Sequence, residues 1–336
     1  MKKPVMIWRL ILVFLPGWLL RILSPGRERY RGQEIDPRAR ALGRLANFIR
    51  VPGVLPSVEE SRRQLLRTVR MFDRRGPQIT RVEDIEVAGA AGPLAARLYC
   101  DSAAPGCGLV YFHGGGFIQG DLETHHDLCL KLARQSGAMV ISVDYRLAPE
   151  HPFPAGLDDA RTAYLDIRER AAGLGLDPGR IGIGGDSAGG CFAAVLAQDC
   201  RDSAPPLFQL LIYPVTDGRM EGDSIADLQD GYILTRQRME WYRDLHAGDF
   251  RDFDDPRFSP LRAADLSGLA PAYVLTGGFD PLWDDGRLYA ERLAAAGVDV
   301  SHRHHPGQIH GFVNLTRVIP EGRRAIAEIA TWIRRF

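Results

Sequence analysis

Hydrophobic and polar positions fall into distinct regimes along this chain. Residues 1–23 are strongly apolar, broken by Arg9, by Pro16-Gly17 and by Arg21. Residues 37–49 and 58–72 repeat apolar side chains at three- and four-residue spacing, which predicts helices with one buried face. Short strands are expected near residues 80–87 and 94–99. From Leu109 onward, short runs rich in β-branched and aromatic residues alternate with helical runs to the end of the chain. That alternation predicts an α/β fold with a mostly parallel central sheet and helices on both faces.

One stretch interrupts the alternation. More than fifty residues separate the strand expected at 208–214 from the one expected at 272–279. Residues 236–245 read as a helix, and the rest is rich in Asp and Pro. So long a segment in a compact domain serves as a lid or binding element, or else as a packing excursion without substrate contact. The expected organisation is therefore an apolar N-terminal segment (1–32), cap helices (33–78), a first part of the core (79–214), a cap insertion (215–258) and a second part of the core (259–336).

The candidate chemistry lies at strand ends. Gly185-Asp186-Ser187-Ala188-Gly189 joins a β-type run to a helical run. A serine on such a sharp turn needs small neighbours, and its hydroxyl is pushed clear of the sheet with a helix N-terminus behind it. A serine hydroxyl is a poor nucleophile unless a base takes its proton and donors hold the charge that develops on the substrate oxygen. His113-Gly114-Gly115-Gly116 follows a buried-strand pattern, and glycine lets backbone N–H groups approach an oxyanion closely. The N–H groups of Gly114, Gly115 and Ala188 are the expected oxyanion hole. Downstream, Asp280 follows the strand at 272–279, and His310 follows the run at 298–305. His310 is the expected general base and Asp280 the group that fixes its tautomer.

Competing residues read otherwise. His302 and His304 alternate on the last strand as surface or packing residues, and His305 is a weak rival base. Together they resemble a metal cluster in composition only, so no metal is expected. Asp284 and Asp285 open a helix, where acidic side chains suit the dipole. Asp144, Arg146 and Glu150 read as a charged network that fixes the loops beneath the site. Asp186 reads as a turn and helix-start residue.

Composition agrees with a globular enzyme. The chain has 336 residues, 45% hydrophobic and 25% charged, with 42 basic and 42 acidic side chains. Zero net charge without basic-aromatic interleaving argues against a nucleic-acid partner. The five cysteines are odd in number and lack CxxC spacing, which fits a reduced, cytoplasmic compartment.

The motifs together resemble the hormone-sensitive lipase family of α/β-hydrolases, in its bacterial esterase branch. The resemblance spans residues 35–315. Its carriers are the segments 113–117, 120–125, 143–154, 185–190, 259–261, 280–282 and 309–312. It implies a serine carboxylesterase acting on short- to medium-chain acyl esters without a cofactor, with Ser187, Asp280 and His310 as its triad. A homodimer is compatible with it. Cys191 stands where the family often has Asn, and Gln308 where it often has Met; both flank catalytic positions. Two rival activities share much of this pattern: an amidase or deacetylase with the same triad, and a ligand-binding protein on a hydrolase scaffold, which would be expected to lack a triad member.

Residues 1–24 admit several readings. The uninterrupted apolar run is shorter than a membrane span needs, and no small-x-small cleavage site follows it. A helix lying in the membrane interface, with Trp8 and Trp18 as anchors, fits the pattern. Packing against the cap fits as well.

Overall fold

The computed structural model describes residues 2–23, 26–51 and 53–336. Its strands are β1 (Arg29–Tyr30), β2 (Gln33–Glu34), β3 (Arg81–Gly89), β4 (Gly92–Cys100), β5 (Gly108–Phe112), β6 (Met139–Val143), β7 (Ile181–Asp186), β8 (Gln209–Ile212), β9 (Ala272–Phe279) and β10 (Val300–Ile309). The helices before the sheet are α1 (Lys2–Val13), α2 (Gly17–Leu23), α3 (Pro37–Ile49) and α4 (Val58–Phe72). Between the strands lie α5 (His126–Ser136), α6 (Ala155–Glu169), α7 (Ala171–Leu174), α8 (Ala188–Asp199), α9 (Asp223–Asp227), α10 (Arg236–Ala247) and α11 (Trp283–Ala295), and α12 (Pro320–Ile333) ends the chain.

The main sheet has eight strands in the order β3-β4-β6-β5-β7-β8-β9-β10. β3, β4 and β6 pair antiparallel, and every pair from β6 to β10 is parallel. β5 to β9 are buried along their whole length, as strands covered on both faces must be. Successive side chains of β5 enter opposite cores: Val110 and Phe112 pack with α6 and α8, whereas Leu109 and Tyr111 pack with α5 and α12. The β3–β4 hairpin runs further than the sequence pattern suggested. β3 is an edge strand with Arg81, Glu83, Asp84 and Glu86 exposed along it, so its polar residues hid its length.

The two helices expected at 37–49 and 58–72 are α3 and α4. Each begins with local chemistry that fixes its start. Asp36 caps α3, accepting from the Arg38 and Ala39 N–H groups at 2.8 and 3.1 Å, with Pro37 in the first turn. Ser57 caps α4 by accepting from the Glu60 N–H at 3.2 Å. The insertion before β9 folds as α9 and α10, and their apolar residues Ile225, Met239 and Tyr242 pack with Ile118 and Leu282. Residues 2–23 form two helices rather than one, because Pro16 interrupts the ladder. Val13 and Leu20 face inward, and Arg9 donates to the Arg44 carbonyl of α3 at 3.1 Å. The opposite row, with Trp8 and Trp18, stands 63% and 65% exposed. No helix among the described residues is long and apolar enough to cross a membrane.

A buried ion pair ties α4 to the C-terminal part of the core. Lys131 of α5 donates to both carboxylate oxygens of Asp73 at 2.8 and 2.7 Å, and Asp73 also accepts from the Thr316 N–H at 3.1 Å. Removing one partner of a buried pair leaves the other charge unpaired, at a cost of roughly 3–5 kcal/mol. Asp73→Ala is therefore expected to lower unfolding stability by about that amount. An Asp73→Leu/Lys131→Met double variant should recover much of the loss in chemical-denaturation measurements.

Candidate active site

Ser187 occupies the turn between β7 and α8, with φ 55° and ψ −114°. A left-handed φ costs a non-glycine residue about 1–3 kcal/mol, and the turn holds it there through its surroundings. The Ser187 N–H donates to the Ile212 carbonyl at 2.8 Å, and its carbonyl accepts from Cys191 N–H at 3.1 Å and Val215 N–H at 3.2 Å. Neighbouring β5 passes close by. A Cβ on Gly189 would lie 1.8 Å from the Phe112 carbonyl oxygen, and one on Gly185 would lie 2.3 Å from the same atom. Glycine at both positions is a steric requirement of the turn.

His310 follows β10, and Asp280 follows the neighbouring β9. The Ser187 hydroxyl lies 3.1 Å from His310 Nε2. His310 Nδ1 lies 2.8 Å from Asp280 Oδ2. A carboxylate can only accept, so Nδ1 carries the hydrogen and Nε2 is left to accept from the serine. Asp280 is fully buried, and its other oxygen accepts from the Leu282 N–H at 2.8 Å. The Tyr213 ring packs 4.7 Å from the imidazole and helps to fix its plane. Ser187 itself is 8% exposed.

The glycine loop departs from expectation by one residue. The Gly114 N–H is already committed: it donates to Asp186 Oδ1 at 2.9 Å. Among the described residues, the N–H groups of Gly115, Gly116 and Ala188 have no hydrogen-bond acceptor. Gly115 curls the loop, its carbonyl accepting from the Ile118 and Gln119 N–H groups at 3.3 and 3.2 Å. Of the three donors expected, Gly115 and Ala188 stand free, Gly114 is engaged by Asp186, and the neighbouring Gly116 N–H is free as well.

Asp186 is more than a turn residue. Its buried carboxylate accepts from Tyr111 Oη at 2.7 Å, from Gly114 and from Asn314 Nδ2 at 3.3 Å, and faces His125 Nε2 at 3.1 Å. Burial alone would raise its pKa. His125 and the hydrogen bonds from Tyr111 and Gly114 outweigh that and hold it at about 2. This network was invisible in the sequence because its members lie far apart; the segment carrying His125 was the nearest signal. A second link supports the loop from above. Ser61 of α4 donates to Gln119 Oε1 at 2.6 Å, Gln119 Nε2 donates to Tyr242 Oη of α10 at 3.1 Å, and the Tyr242 ring packs directly against Gly116.

Other charged residues pair differently from expectation. Arg146 binds Asp159 at 2.7 Å rather than Asp144, and Glu150 binds Arg62 of α4 at 2.7 Å. Burial, with Asp121 nearby, raises the Asp144 carboxyl to about 6. Asp284 pairs with Arg31 at 3.0 Å. Asp285 accepts from the Thr216 and Asp217 N–H groups at 2.8 and 3.0 Å. The latter two anchor the segment after β8 to α11. His302 and His304 share the Thr276 hydroxyl at 2.9 and 3.0 Å, and His305 Nδ1 meets Glu321 at 2.8 Å. None of the three reaches Ser187. Cys191 is buried behind the serine turn, and burial pushes its thiol pKa up, so it stays neutral.

Residues 109–314 match the model of an α/β-hydrolase-fold family. The chain belongs to the hormone-sensitive-lipase-like α/β-hydrolases. It is 40% identical over 321 residues to carboxylic ester hydrolase LipN of Mycobacterium tuberculosis, a match covering 91% of this chain and 84% of LipN. Ethyl acetate hydrolase of Pseudomonas putida is 37% identical, covering 81% of this chain and 88% of that protein. Among solved structures, ester hydrolase EH1AB1 from the Lake Arreo metagenome, held with a bipyridine phosphonate derivative, superposes with a TM-score of 0.85. It is 41% identical, and the match covers 90% of this chain and 98% of that one.

The depressed pKa of Asp186 has a consequence for acid stability. An unperturbed carboxylate titrates near 3.9, so the folded state binds the proton less readily than the unfolded chain. The stabilisation is present above about pH 4 and is lost as pH falls toward 2, on the order of 2 kcal/mol in all. Asp186→Asn should lose stability at neutral pH and show a shallower decline between about pH 4 and 2 in urea titrations. An unchanged acid limb in that variant would contradict the assignment.

Proposed function

We propose that this chain is a serine carboxylesterase in which Ser187, His310 and Asp280 cleave short- to medium-chain acyl esters. The observation that carries the reading is the hydrogen-bonded line from Ser187 Oγ through His310 to Asp280, at 3.1 and 2.8 Å, on a turn held in a strained conformation. His310 Nε2 takes the serine proton as Oγ attacks the ester carbonyl. The carbonyl oxygen, now negative, is received by the N–H groups of Gly115, Gly116 and Ala188. Collapse of this intermediate expels the alcohol, which leaves with the proton from Nε2. Water then enters, gives a proton to Nε2 as its oxygen attacks the acyl carbon, and Nε2 returns that proton to Ser187 Oγ as the C–Oγ bond breaks and the acid leaves. Asp280 holds the imidazole in the required tautomer throughout and offsets its transient charge.

The helices of residues 33–78 and the insertion 215–258 act as the cap in this reading. Their contacts support it: α4 and α10 meet over the glycine loop through Gln119, and Arg62 of α4 donates to the Ile118 carbonyl at 2.8 Å. Residues 1–24 make peripheral contact with a membrane, supported by the exposed row that includes Trp8 and Trp18.

Hydrolysis of p-nitrophenyl esters from acetate to palmitate tests the activity. Turnover should peak at short or medium acyl chains, and Ser187→Ala should lose at least about 10⁴-fold in kcat. Equal turnover by both proteins would reject Ser187 as nucleophile, and a rise toward palmitate would reject the short-chain preference. A crystal structure with a phosphonate bound to Ser187 tests the oxyanion donors. The phosphonate oxygen should lie about 2.7–3.1 Å from the nitrogens of Gly115, Gly116 and Ala188, with Gly114 still on Asp186.

A further inference from the structure

A cavity of about 530 Å³ opens where α4 ends and α12 begins, lined by Arg70, Arg74, Arg75, Arg317, Arg323 and Asp73. Five guanidinium groups thus surround one carboxylate. That carboxylate is already neutralised, because Lys131 holds both its oxygens. Arg317 donates to the Met71 carbonyl at 3.2 Å, and Arg323 donates to the Thr316 carbonyl. Both partners are neutral. The side chains of Arg70, Arg74 and Arg75 meet no carboxylate among the described residues. In a protein with 42 basic and 42 acidic side chains, most of its arginines can find partners, so this concentration is a local excess. Planar guanidinium forks match phosphate oxygens in pairs, and that chemistry is what such an excess is suited to bind.

The cavity borders an apolar surface. The Arg317 guanidinium stacks over the Phe14 ring at 5.0 Å, and Phe14 packs 6.0 Å from Phe72 at the end of α4. Phe14 is itself exposed and lies between α1 and α2, whose exposed side chains include Trp8, Ile11, Trp18 and Ile22. Cationic groups beside exposed tryptophans and aliphatic side chains are the pattern of a surface that lies at the boundary between lipid headgroups and acyl chains.

We propose that this face docks on a membrane containing anionic phospholipid, with the arginine cavity holding a lipid phosphate and the α1–α2 row entering the acyl boundary. The proposal rests on the reading that residues 1–24 contact a membrane, and adds the site that selects the lipid. It also sets an orientation. α4 runs from the docking face to Ser61, which touches the glycine loop through Gln119, roughly 14 Å along the helix axis. An ester dissolved in the bilayer would be presented near the cap of the same molecule that is held there.

Vesicle flotation of the full chain separates the two layers of this claim. The probes are vesicles of phosphatidylcholine alone and of phosphatidylcholine mixed with phosphatidylglycerol. Wild-type protein should bind the mixed vesicles more tightly, and rising salt should erase the difference. Arg74→Gln/Arg75→Gln should weaken binding to the mixed vesicles by about fivefold per arginine, about 25-fold in all, and leave phosphatidylcholine binding and hydrolysis of a soluble ester unchanged. Trp8→Ala/Trp18→Ala should weaken binding to both vesicles. If the arginine variant binds mixed vesicles as wild type does, the cavity proposal is overturned while the membrane reading stands. If wild type binds neither vesicle, the membrane reading fails and takes the proposal with it. Binding of inorganic phosphate by wild type, lost in the arginine variant and unaccompanied by vesicle binding, would make this a soluble-anion site and overturn the lipid assignment.

Discussion

The carbonyl of Phe112 at the end of β5 is the constraint around which the site is built. It lies so close to the β7–α8 turn that only glycine fits at positions 185 and 189. With both flanking side chains gone, the backbone can turn sharply enough to hold Ser187 at φ 55°. The same closeness brings the loop after β5 beside the serine, because β5 and β7 are parallel neighbours that end at the same edge. The next strands in order, β8 to β10, also run parallel, so Asp280 and His310 emerge at that edge as well. A parallel sheet thus gathers groups separated by 123 residues in the chain into one hydrogen-bonded line.

Asp186 couples these strand ends. It is a fully buried charge, which is unfavourable unless every oxygen is satisfied. Here Tyr111 from β5, Gly114 from the glycine loop, His125 at the start of α5 and Asn314 beyond His310 all converge on it. The carboxylate therefore fixes, at once, the path of the glycine loop and the position of the segment that follows the histidine. By occupying the Gly114 N–H, it also decides which backbone donors remain free. One residue adjacent to the serine arranges its surroundings without touching the reacting atoms.

Much of this architecture was legible in the sequence. The amphipathic spacing of α3 and α4 marked them residue for residue, since a helix with a strong cap and one buried face carries its whole signal locally. The strand-to-helix context of Ser187 and the placement of Asp280 and His310 after strands were legible for the same reason. What was not legible depended on distant partners. Three consecutive glycines announce a loop with free N–H groups, but not that the first is taken by a carboxylate 72 residues away. Arg146 was assigned to near neighbours in the chain, yet Asp159 on the next helix turns inward to meet it, and Glu150 is captured by Arg62, 88 residues distant. The apolar N-terminus could be read as packing or as exposed; it does both, with Val13 and Leu20 inward and the tryptophans outward.

α4 and α10 meet the glycine loop through a single side chain. Ser61 and Tyr242 hold Gln119 from two different helices, and the Tyr242 ring fills the space beside Gly116 that any side chain there would need. Ser187, next to this loop, is nearly covered. Moving α4 or α10 outward breaks one arm of the Ser61–Gln119–Tyr242 chain and loosens the loop that offers the free N–H groups. One glutamine thus couples two helices, far apart in the chain, to the loop beside the serine.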